Sequence, residues 1–400
     1  MDEVRFSWLH LTDMHFGLSG LAPRWPNIRE RFFEDLDAAF QASGPWDAVI
    51  FTGDLVQSGD AAQYERLNSD VLAPLFKRID ELNAVYIETL KKKKTDREPQ
   101  VKLPVLLTVP GNHDLVRPSQ SPPSPALRLM LNTQGFREIE GELLGTAASE
   151  YRDVIGRAFA NFNQWSGAAR HRPDNLVRGL LPGDFSACLK VNGLDVRVVG
   201  LNTAFLQLDN SDYMGRLEWD VRQFNAACTG DPMGDGARWV SSGDVALLLT
   251  HHGPAWLSPQ SRDLVYPEIN PAGRFALHLF GHMHQGEQRS LAAGGDARHL
   301  WQGNALFSME RIESGDHLDR RHGYTCGKIE RTREGLRMRL FPRRARLDSV
   351  NGWRFSRDDE AVPLKEADGG TRPIMIRGIG SAPDSESPVQ RIASYVTPLR

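Results

Sequence analysis

Short apolar runs that end in groups of polar, cation-binding residues place the strongest constraint on how this chain folds. Each run is rich in leucine and β-branched residues, which is typical of strands, and helical patterns separate the first of them. The predicted strands are Val4–Leu11, Ala48–Phe51, Val105–Val109, Val196–Leu201, Val245–Thr250 and Phe275–Phe280. Alternating strands and helices predict an α/β sheet, whose sites form beyond the carboxyl ends of its strands.

The polar groups at these strand ends form five motifs. They are Asp13-Met14-His15, Gly53-Asp54, Gly111-Asn112-His113-Asp114, His251-His252 and Gly281-His282-Met283-His284. Carboxylate, amide and imidazole groups are ligands that hard and borderline divalent metals prefer. Because residues two apart at a strand end project to the same side, Asp13 and His15 are candidates to clamp one ion.

The remaining motifs supply what a second ion needs. Asp54 is the candidate bridge, because a carboxylate has two oxygens and Gly53 lets the backbone turn tightly before it. Asn112 offers a neutral oxygen, which keeps the second ion electrophilic, and His282 and His284 can each face one ion. Two ions about 3.5 Å apart can clamp a phosphate and activate a water, so the motifs predict a two-metal site.

Other polar residues near the motifs have competing interpretations. His10 and His278 are interpreted as structural, because a lone histidine near a strand end is more often structural than a ligand. His252 is interpreted as supporting the ligands or facing the substrate. Asp114 is interpreted either as a cap or as a residue that orients a histidine.

The order and spacing of the motifs resemble the calcineurin-like metallophosphoesterase superfamily over roughly residues 4 to 345. The segments around Asp13 (Trp8 to Gly17) and before Asp114 (Val109 to Asp114) are similar to family segments. The resemblance implies the fold class: α/β, a four-layer αββα sandwich of two packed sheets flanked by helices, with a helical insertion.

The resemblance also implies a role for each residue. The first ion would take Asp13, His15, Asp54 and His284, and the second would take Asp54, Asn112, His251 and His282. His113 would be the acid that protonates the leaving oxygen or holds the phosphate, and Asp54 would be catalytic as the bridge. The implied cofactors are two divalent ions, with manganese preferred and iron, zinc or nickel also compatible with these ligands.

The expected function is that of a metal-dependent phosphodiesterase that uses a water activated by the dinuclear centre. The segment around Gly53-Asp54-Leu55 resembles the phosphodiesterase branch rather than the Asp-Arg-Gly form of protein phosphatases. The expected substrate is a nucleotide or a nucleic acid. Two alternatives remain open, namely a DNA or RNA nuclease of a defence or repair system, and a catalytically silent metal-binding scaffold that recruits a protein partner.

The 400 residues are predicted to divide into a metallophosphoesterase domain over residues 1–347 and a C-terminal extension over 348–400. The domain carries a helical insertion at about 115–190, interpreted as a cover over the metal site or as peripheral decoration. The Gly-, Ser- and Pro-rich end of the extension predicts a tail or linker, which would suit attachment to a protein partner. No segment indicates the oligomeric state.

Charge and cysteine content bear on partners and location. The formal net charge of −3 argues against a globally basic nucleic-acid binder. Residues 311–347 hold eleven Arg or Lys against five Asp or Glu, which predicts an exposed sheet surface or a face for an anionic partner. Lys91–Lys94 is interpreted as a solvated loop, with a nucleic-acid contact as the alternative.

Three widely spaced cysteines, no signal-peptide pattern and no long apolar run predict a cytoplasmic protein without a membrane span.

Overall fold

Two mixed β-sheets pack face to face, and helices cover their outer faces. This architecture comes from a computed structural model, and it is the four-layer αββα sandwich that the sequence predicts. The structure describes residues 4–19, 23–92, 101–119, 121–132, 136–293, 296–307, 310–311, 318–319, 322–348, 350, 352–361 and 368–376.

Sixteen strands lie within the described residues. In chain order they are β1 Arg5–Leu11, β2 Ala48–Thr52, β3 Val105–Val109, β4 Val177–Arg178, β5 Phe185–Val191, β6 Leu194–Gly200, β7 Val245–Leu249, β8 Leu277–Phe280, β9 Glu287–Ala293, β10 Asp296–Gln302, β11 Glu310–Arg311, β12 Leu318–Asp319, β13 Gly323–Thr332, β14 Gly335–Asp348, β15 Gly352–Arg357 and β16 Ile374–Ile376.

Ten α-helices lie within the same residues. They are α1 Trp25–Ser43, α2 Ala61–Leu67, α3 Ala73–Lys92, α4 Pro125–Leu131, α5 Phe136–Leu143, α6 Glu150–Ala158, α7 Ala160–Ala168, α8 Val221–Thr229, α9 Gly236–Ser241 and α10 Pro259–Leu264. No helix in the described part of the chain combines the length and apolar character needed to cross a lipid bilayer.

The strand order brings parallel strands to the middle of the molecule. The first sheet runs β15-β14-β13-β1-β2-β3, with β16 paired to β14, and β1, β2 and β3 are parallel. The second sheet runs β4-β5-β6-β7-β8-β10-β9, and β6, β7, β8 and β10 are parallel. The carboxyl ends of the parallel strands in each sheet therefore meet at one edge, where ligand sites form in α/β proteins.

Alternating side chains divide the apolar residues between two cores. In β1, Phe6 and Trp8 face the second sheet and pack between the sheets, whereas Leu9 and Leu11 face the helices. Helices α4 to α7 share that outer core with α1 to α3, through residues such as Trp165. The predicted helical insertion is thus part of the helical layer on the first sheet.

Three details differ from the sequence predictions. The second helical pattern, between β2 and β3, is interrupted by a π-helical turn at Asn68–Leu72, where Asn68 Oδ1 accepts a hydrogen bond from Trp165 Nε1 at 2.9 Å. The last residues of the predicted helical insertion form β5, because they pair with β6 in a hairpin. Part of the predicted extension, β15 and β16, pairs with β14 and so belongs to the first sheet. Residues 377–400 lie outside the described residues.

The basic C-terminal strands are largely neutralised by carboxylates. The pairs are Lys328 and Arg337 with Glu330, Arg331 with Asp244, Arg339 with Asp368, Arg343 with Asp35, Arg344 with Glu360, and Arg346 with Asp359. This pairing favours the interpretation of an exposed sheet surface over a face for a polyanion. In the lysine run, Lys91 and Lys92 end α3, whereas Lys93 and Lys94 lie outside the described residues.

Candidate metal centre

The five motifs converge at the edge where the parallel strands of both sheets end. Backbone and side-chain hydrogen bonds tie the two sheets together there. The backbone N–H of His282, after β8, donates to Asp13 Oδ2 at 3.0 Å, and His251 Nδ1, after β7, donates to the carbonyl of Thr52 at 2.8 Å. Each sheet therefore fixes side chains that belong to the other.

One group of side chains forms around Asp13. His284 Nε2 lies 3.3 Å from Asp13 Oδ1 and 3.1 Å from His15 Nε2. The ligand atoms of these three residues all lie within 4.8 Å of one another. The structure thus brings together the three residues that, with Asp54, were predicted to bind the first ion.

A second group forms around His251. Its Nε2 lies 3.2 Å from Asn112 Oδ1 and 3.2 Å from His282 Nδ1. The same nitrogen is 3.3 Å from Asp54 Oδ2. These are the four residues predicted for the second ion, so all seven predicted ligands lie in one cluster.

Asp54 lies between the two groups. Its Oδ2 is 3.3 Å from His251 Nε2 in the second group and 3.8 Å from His15 Nε2 in the first. Its Oδ1 accepts a hydrogen bond from the backbone N–H of His113 at 2.8 Å. This bond fixes the carboxylate so that one oxygen faces both groups, which is the geometry a bridging ligand needs.

The chemistry of the converging atoms fits divalent cations. Atoms that carry lone pairs approach one another within each group, an arrangement that is unfavourable unless a proton or cation lies among them. Asp13 Oδ1 and His15 Nδ1 are buried and accept or donate no hydrogen bond among the described residues. Carboxylate, amide and imidazole groups in this number suit manganese, iron, zinc or nickel.

The electrostatics of the cluster favour the metal-binding forms of Asp54, His15 and His282, but not of His251. Burial alone would raise the pKa of Asp54, but His251, His113 and His15 lower it well below its usual value. Burial lowers the pKa of His15 to about 4 and that of His282 to about 3. Burial would also lower the pKa of His251, but the adjacent Asp54 raises it to about 9. Ionised carboxylates and neutral imidazoles are the ligand forms, so His251 has to release a proton when a cation binds there.

The backbone of the cluster is strained. Asp13, His15, Asp54, His282 and His284 all have left-handed φ angles, between 47° and 72°. Such angles are uncommon for residues other than glycine and cluster at functional sites. The sequence gives one signal of this strain, because Gly53 and Gly281 precede two of these residues.

The ring of His113 is held by a hydrogen bond from one of its nitrogens to the backbone. Its Nδ1 lies 3.0 Å from the backbone carbonyl of Gln57 and 3.2 Å from the side-chain amide nitrogen of the same residue. The carbonyl can only accept, so a proton on Nδ1 satisfies the shorter contact. Nε2 is therefore the nitrogen that remains for chemistry. The ring packs edge-on against His15 at a centroid distance of 4.8 Å, which places the predicted acid beside the cluster.

The other singled-out residues take separate roles. His10 and His278 are buried and structural, with Nε2 hydrogen-bonded to Thr52 and Thr250 respectively, each at 2.8 Å. His252 Nδ1 contacts Thr203 Oγ1 at 2.9 Å, and its ring lies 4.3 Å from that of His282. It packs against a predicted ligand, and its ring nitrogens are close enough to those of His251 and His282 to form a group that could hold a metal ion.

Asp114 neither caps a helix nor orients a histidine. It accepts hydrogen bonds from the backbone N–H groups of Leu55, Val56 and Gly111, and from the hydroxyl of Tyr64. Burial, followed by the charge of Asp54, raises its pKa to about 7. Asp114 thus ties the loop after β2 to the loop after β3, which positions both Asp54 and Asn112.

Sequence reasoning missed three residues beside the cluster. Gln57 holds His113, and Arg117 Nη2 donates to the backbone carbonyl of Asn112 at 3.3 Å. Trp256 packs edge-on against His282 with ring centroids 4.2 Å apart. Their residue types and spacing carry no signal, because each reaches the cluster through tertiary contacts.

An αββα sandwich with aspartate, asparagine and histidine ligand atoms gathered at its strand ends defines a protein of the metallophosphoesterase class. The family model for calcineurin-like phosphoesterases matches residues 6–286, and the chain belongs to this family.

Two solved structures are similar to this chain over most of its length. GAP50, described as the anchor in the inner membrane complex of Plasmodium, is 10% identical over 88% of this chain and 86% of that chain, with a TM-score of 0.39. Purple acid phosphatase PPD1 from yellow lupin seeds is 12% identical over 88% of this chain and 52% of that chain, with a TM-score of 0.43. No curated protein sequence matched.

Proposed function

We propose that this protein is a metal-dependent phosphodiesterase that hydrolyses a phosphodiester of a nucleotide or nucleic acid. The observation that carries the proposal is the position of Asp54 Oδ2, which faces His251 at 3.3 Å and His15 at 3.8 Å. A single carboxylate oxygen between two groups of ligand atoms is the arrangement required to hold two cations side by side. Membership of the calcineurin-like phosphoesterase family supports hydrolysis as the reaction class.

The proposed ligands follow the two groups. Asp13, His15, Asp54 and His284 would hold one cation, and Asp54, Asn112, His251 and His282 would hold the other. When bound, the two cations supply Lewis acidity and a water that is activated near neutral pH. We propose manganese as the native metal.

His113 is proposed as the general acid. Its Nδ1 proton is committed to the carbonyl of Gln57, so Nε2 gains and gives the proton that moves during the reaction. A protonated His113 would offset charge on a phosphate oxygen and then protonate the departing alkoxide. Asp54 keeps this ring in place through the backbone N–H of His113.

A diester is preferred as the substrate because the sequence around Gly53-Asp54-Leu55 and the pair His282 and His284 resemble the phosphodiesterase branch. The paired carboxylates on the basic strands give no support to a long polyanion there. The decisive experiment is a substrate panel with manganese that includes cyclic nucleotides, single- and double-stranded DNA, RNA and a phosphomonoester. Faster turnover of the monoester than of every diester would contradict the proposal.

We also propose a cytoplasmic location, which three free cysteines support.

Removal of metal should silence the enzyme reversibly. We expect exhaustive treatment with EDTA to abolish hydrolysis of bis(p-nitrophenyl) phosphate, because the imidazole and carboxylate groups cannot act as a Lewis acid once the metal has been removed. Manganese should restore more activity than iron, zinc or nickel. Circular dichroism before and after chelation serves as the control for unfolding. Full activity in chelated protein would count against the proposed mechanism.

Substitution of Gly111 should displace the proposed bridge. A Cβ atom at this position would lie 2.2 Å from Asp54 Oδ1 and 2.5 Å from Asp54 N, so Gly111→Ala forces the carboxylate to move. We expect a loss of bound metal and a fall in turnover of about a hundredfold, the effect of a displacement near 1 Å. Gly156→Ala, which meets nothing within 4 Å, is the matched control. Unchanged metal content and turnover in Gly111→Ala would show that the position of Asp54 is unimportant.

A further inference from the structure

A cavity of about 690 Å³ adjoins the metal-ligand cluster on the side of the second sheet. We call it the aromatic groove, and it is lined by Trp256, Tyr266, Phe280, Met214, Met283 and Leu291. Its volume lies within the range of about 300–1,000 Å³ that is usual for small-molecule sites. The groove is separate from the seven proposed ligands but shares a wall with them.

Two contacts join the aromatic groove to the cluster. The Trp256 ring packs edge-on against His282 at a centroid distance of 4.2 Å and lies 5.6 Å from His252. Met283 stands in the chain between His282 and His284. The aromatic groove therefore lies directly beside the position proposed for the phosphate.

The groove exposes large apolar side chains to solvent. The exposed fractions are 46% for Met214, 47% for Met283 and 41% for Leu291. Single exposed apolar residues are ordinary, but several that line one cavity mark a binding surface. Thioethers and aromatic rings are polarisable, so this surface favours a flat, unsaturated ligand over a sugar or a second anion.

The charges around the groove suit an uncharged ring attached to an anion. Arg289 donates to Glu287 at 2.7 Å, and the guanidinium of Arg298 lies 4.6 Å from the centre of the Tyr266 ring. Arg262 lines the groove and pairs with no carboxylate among the described residues. It is available to a polar edge of a ligand or to its phosphate.

We propose that the aromatic groove binds the nucleobase of one ester arm while the phosphate lies at the metal-ligand cluster. This inference rests on the proposed function, because it needs a phosphate at the cluster, and it narrows the substrate to a diester with a nucleoside arm. Base–aromatic stacking tolerates different bases, so the groove selects for a base rather than for one particular base.

A binding measurement tests the groove without catalysis. We expect the purified protein to bind AMP about tenfold more tightly than ribose 5-phosphate in calorimetric titrations, since the two differ only by the base. Trp256→Leu should remove this preference. Because Trp256 touches His282, the surface variant Met214→Ala/Leu291→Ala provides a second test that leaves the cluster untouched. Met233→Ala, at a remote methionine that is 79% exposed, should keep the preference.

A kinetic measurement separates this inference from the proposed function. The substrates are thymidine 5′-(p-nitrophenyl phosphate) and methyl p-nitrophenyl phosphate, which share a leaving group and differ in the other ester arm, a nucleoside in the first and a methyl group in the second. We expect a higher kcat/KM for the thymidine ester than for the methyl ester. In both groove variants, kcat/KM should fall about tenfold more for the thymidine ester than for the methyl ester.

The outcomes are distinct. If neither ester is hydrolysed but AMP is preferred over ribose 5-phosphate, the proposed function fails and base binding stands. If both esters are hydrolysed equally well and AMP has no advantage, the groove inference fails and the proposed function stands. A dinucleotide and an oligothymidylate are then used as competitors. Competition by the dinucleotide indicates a small nucleotide as the source of the base, and competition by the oligothymidylate indicates the end of a strand. If neither compound competes, the inference is overturned.

Discussion

Asp54→Ala is expected to abolish hydrolysis and to weaken the binding of both metals together. The reason is that Oδ2 of this one residue faces both groups of ligand atoms, at 3.3 Å from His251 and 3.8 Å from His15. Turnover of bis(p-nitrophenyl) phosphate should fall by about a thousandfold or more, at or beyond the upper end of the loss caused by removing one stabilising group from an active site. Metal content per chain, measured after dialysis against manganese, should fall from two toward zero.

The expected loss has to be separated from a loss of folding. Asp54 also accepts the backbone N–H of His113, so Asp54→Asn retains size and an acceptor oxygen but removes the charge. We expect this variant to lose metal nearly as completely while its thermal unfolding stays close to that of the unchanged protein. Asp174→Ala alters an exposed loop residue and serves as the matched control. Two metals per chain in Asp54→Ala would refute the proposed ligand scheme.

His113→Ala is expected to remove most turnover while both metals stay bound. General acid catalysis contributes roughly a hundredfold to ten-thousandfold to rate. The bond between His113 and Asp54 uses the backbone N–H of His113, which the substitution retains. The loss should depend on the leaving group. A p-nitrophenolate leaves without being protonated, so turnover of its ester should fall less. Turnover of a dinucleotide should fall more, because its departing alkoxide needs a proton.

This dependence distinguishes an enzyme from a catalytically silent scaffold. In a scaffold, His113→Ala would leave partner binding intact and there would be no turnover to lose. His299→Ala, at a residue hydrogen-bonded to Ser290 in the β9–β10 hairpin, is the control for removal of an imidazole. An equal loss for both leaving groups would show that His113 stabilises charge on the phosphate without transferring a proton.

The sequence predicted the strands that carry the site better than the elements around it. The runs that became β1, β2, β3, β7 and β8 are apolar and short, and each is followed by a motif, so both periodicity and turn signals agreed. The π-helical turn at Asn68–Leu72 was not predicted, because Trp165 contacts Asn68 across tertiary structure. Likewise, β16 occupies the sheet edge only because β14 offers it a partner.

The residues of the candidate site likewise fall into those that the sequence pattern identifies and those that only tertiary contacts identify. Asp13, Asp54, Asn112 and His251 could be named because their chemistry and order form a recognisable pattern. The support from Gln57, Arg117 and Trp256 could not be named, because a glutamine carbonyl, a guanidinium and an indole become informative only through what they touch. The basic strands were open to two interpretations until the structure showed their arginines paired with carboxylates.

By itself, the sequence determined which side chains are available and that each stands at the end of a strand, since local periodicity fixes both. Only the tertiary structure decided that Asp54 Oδ2 lies between two groups of proposed ligands and that five of the proposed ligands have left-handed backbones. The physical reason is that these features depend on packing between sheets. The bond from His251 Nδ1 to the carbonyl of Thr52 joins residues 199 positions apart, a distance over which local preferences carry no information.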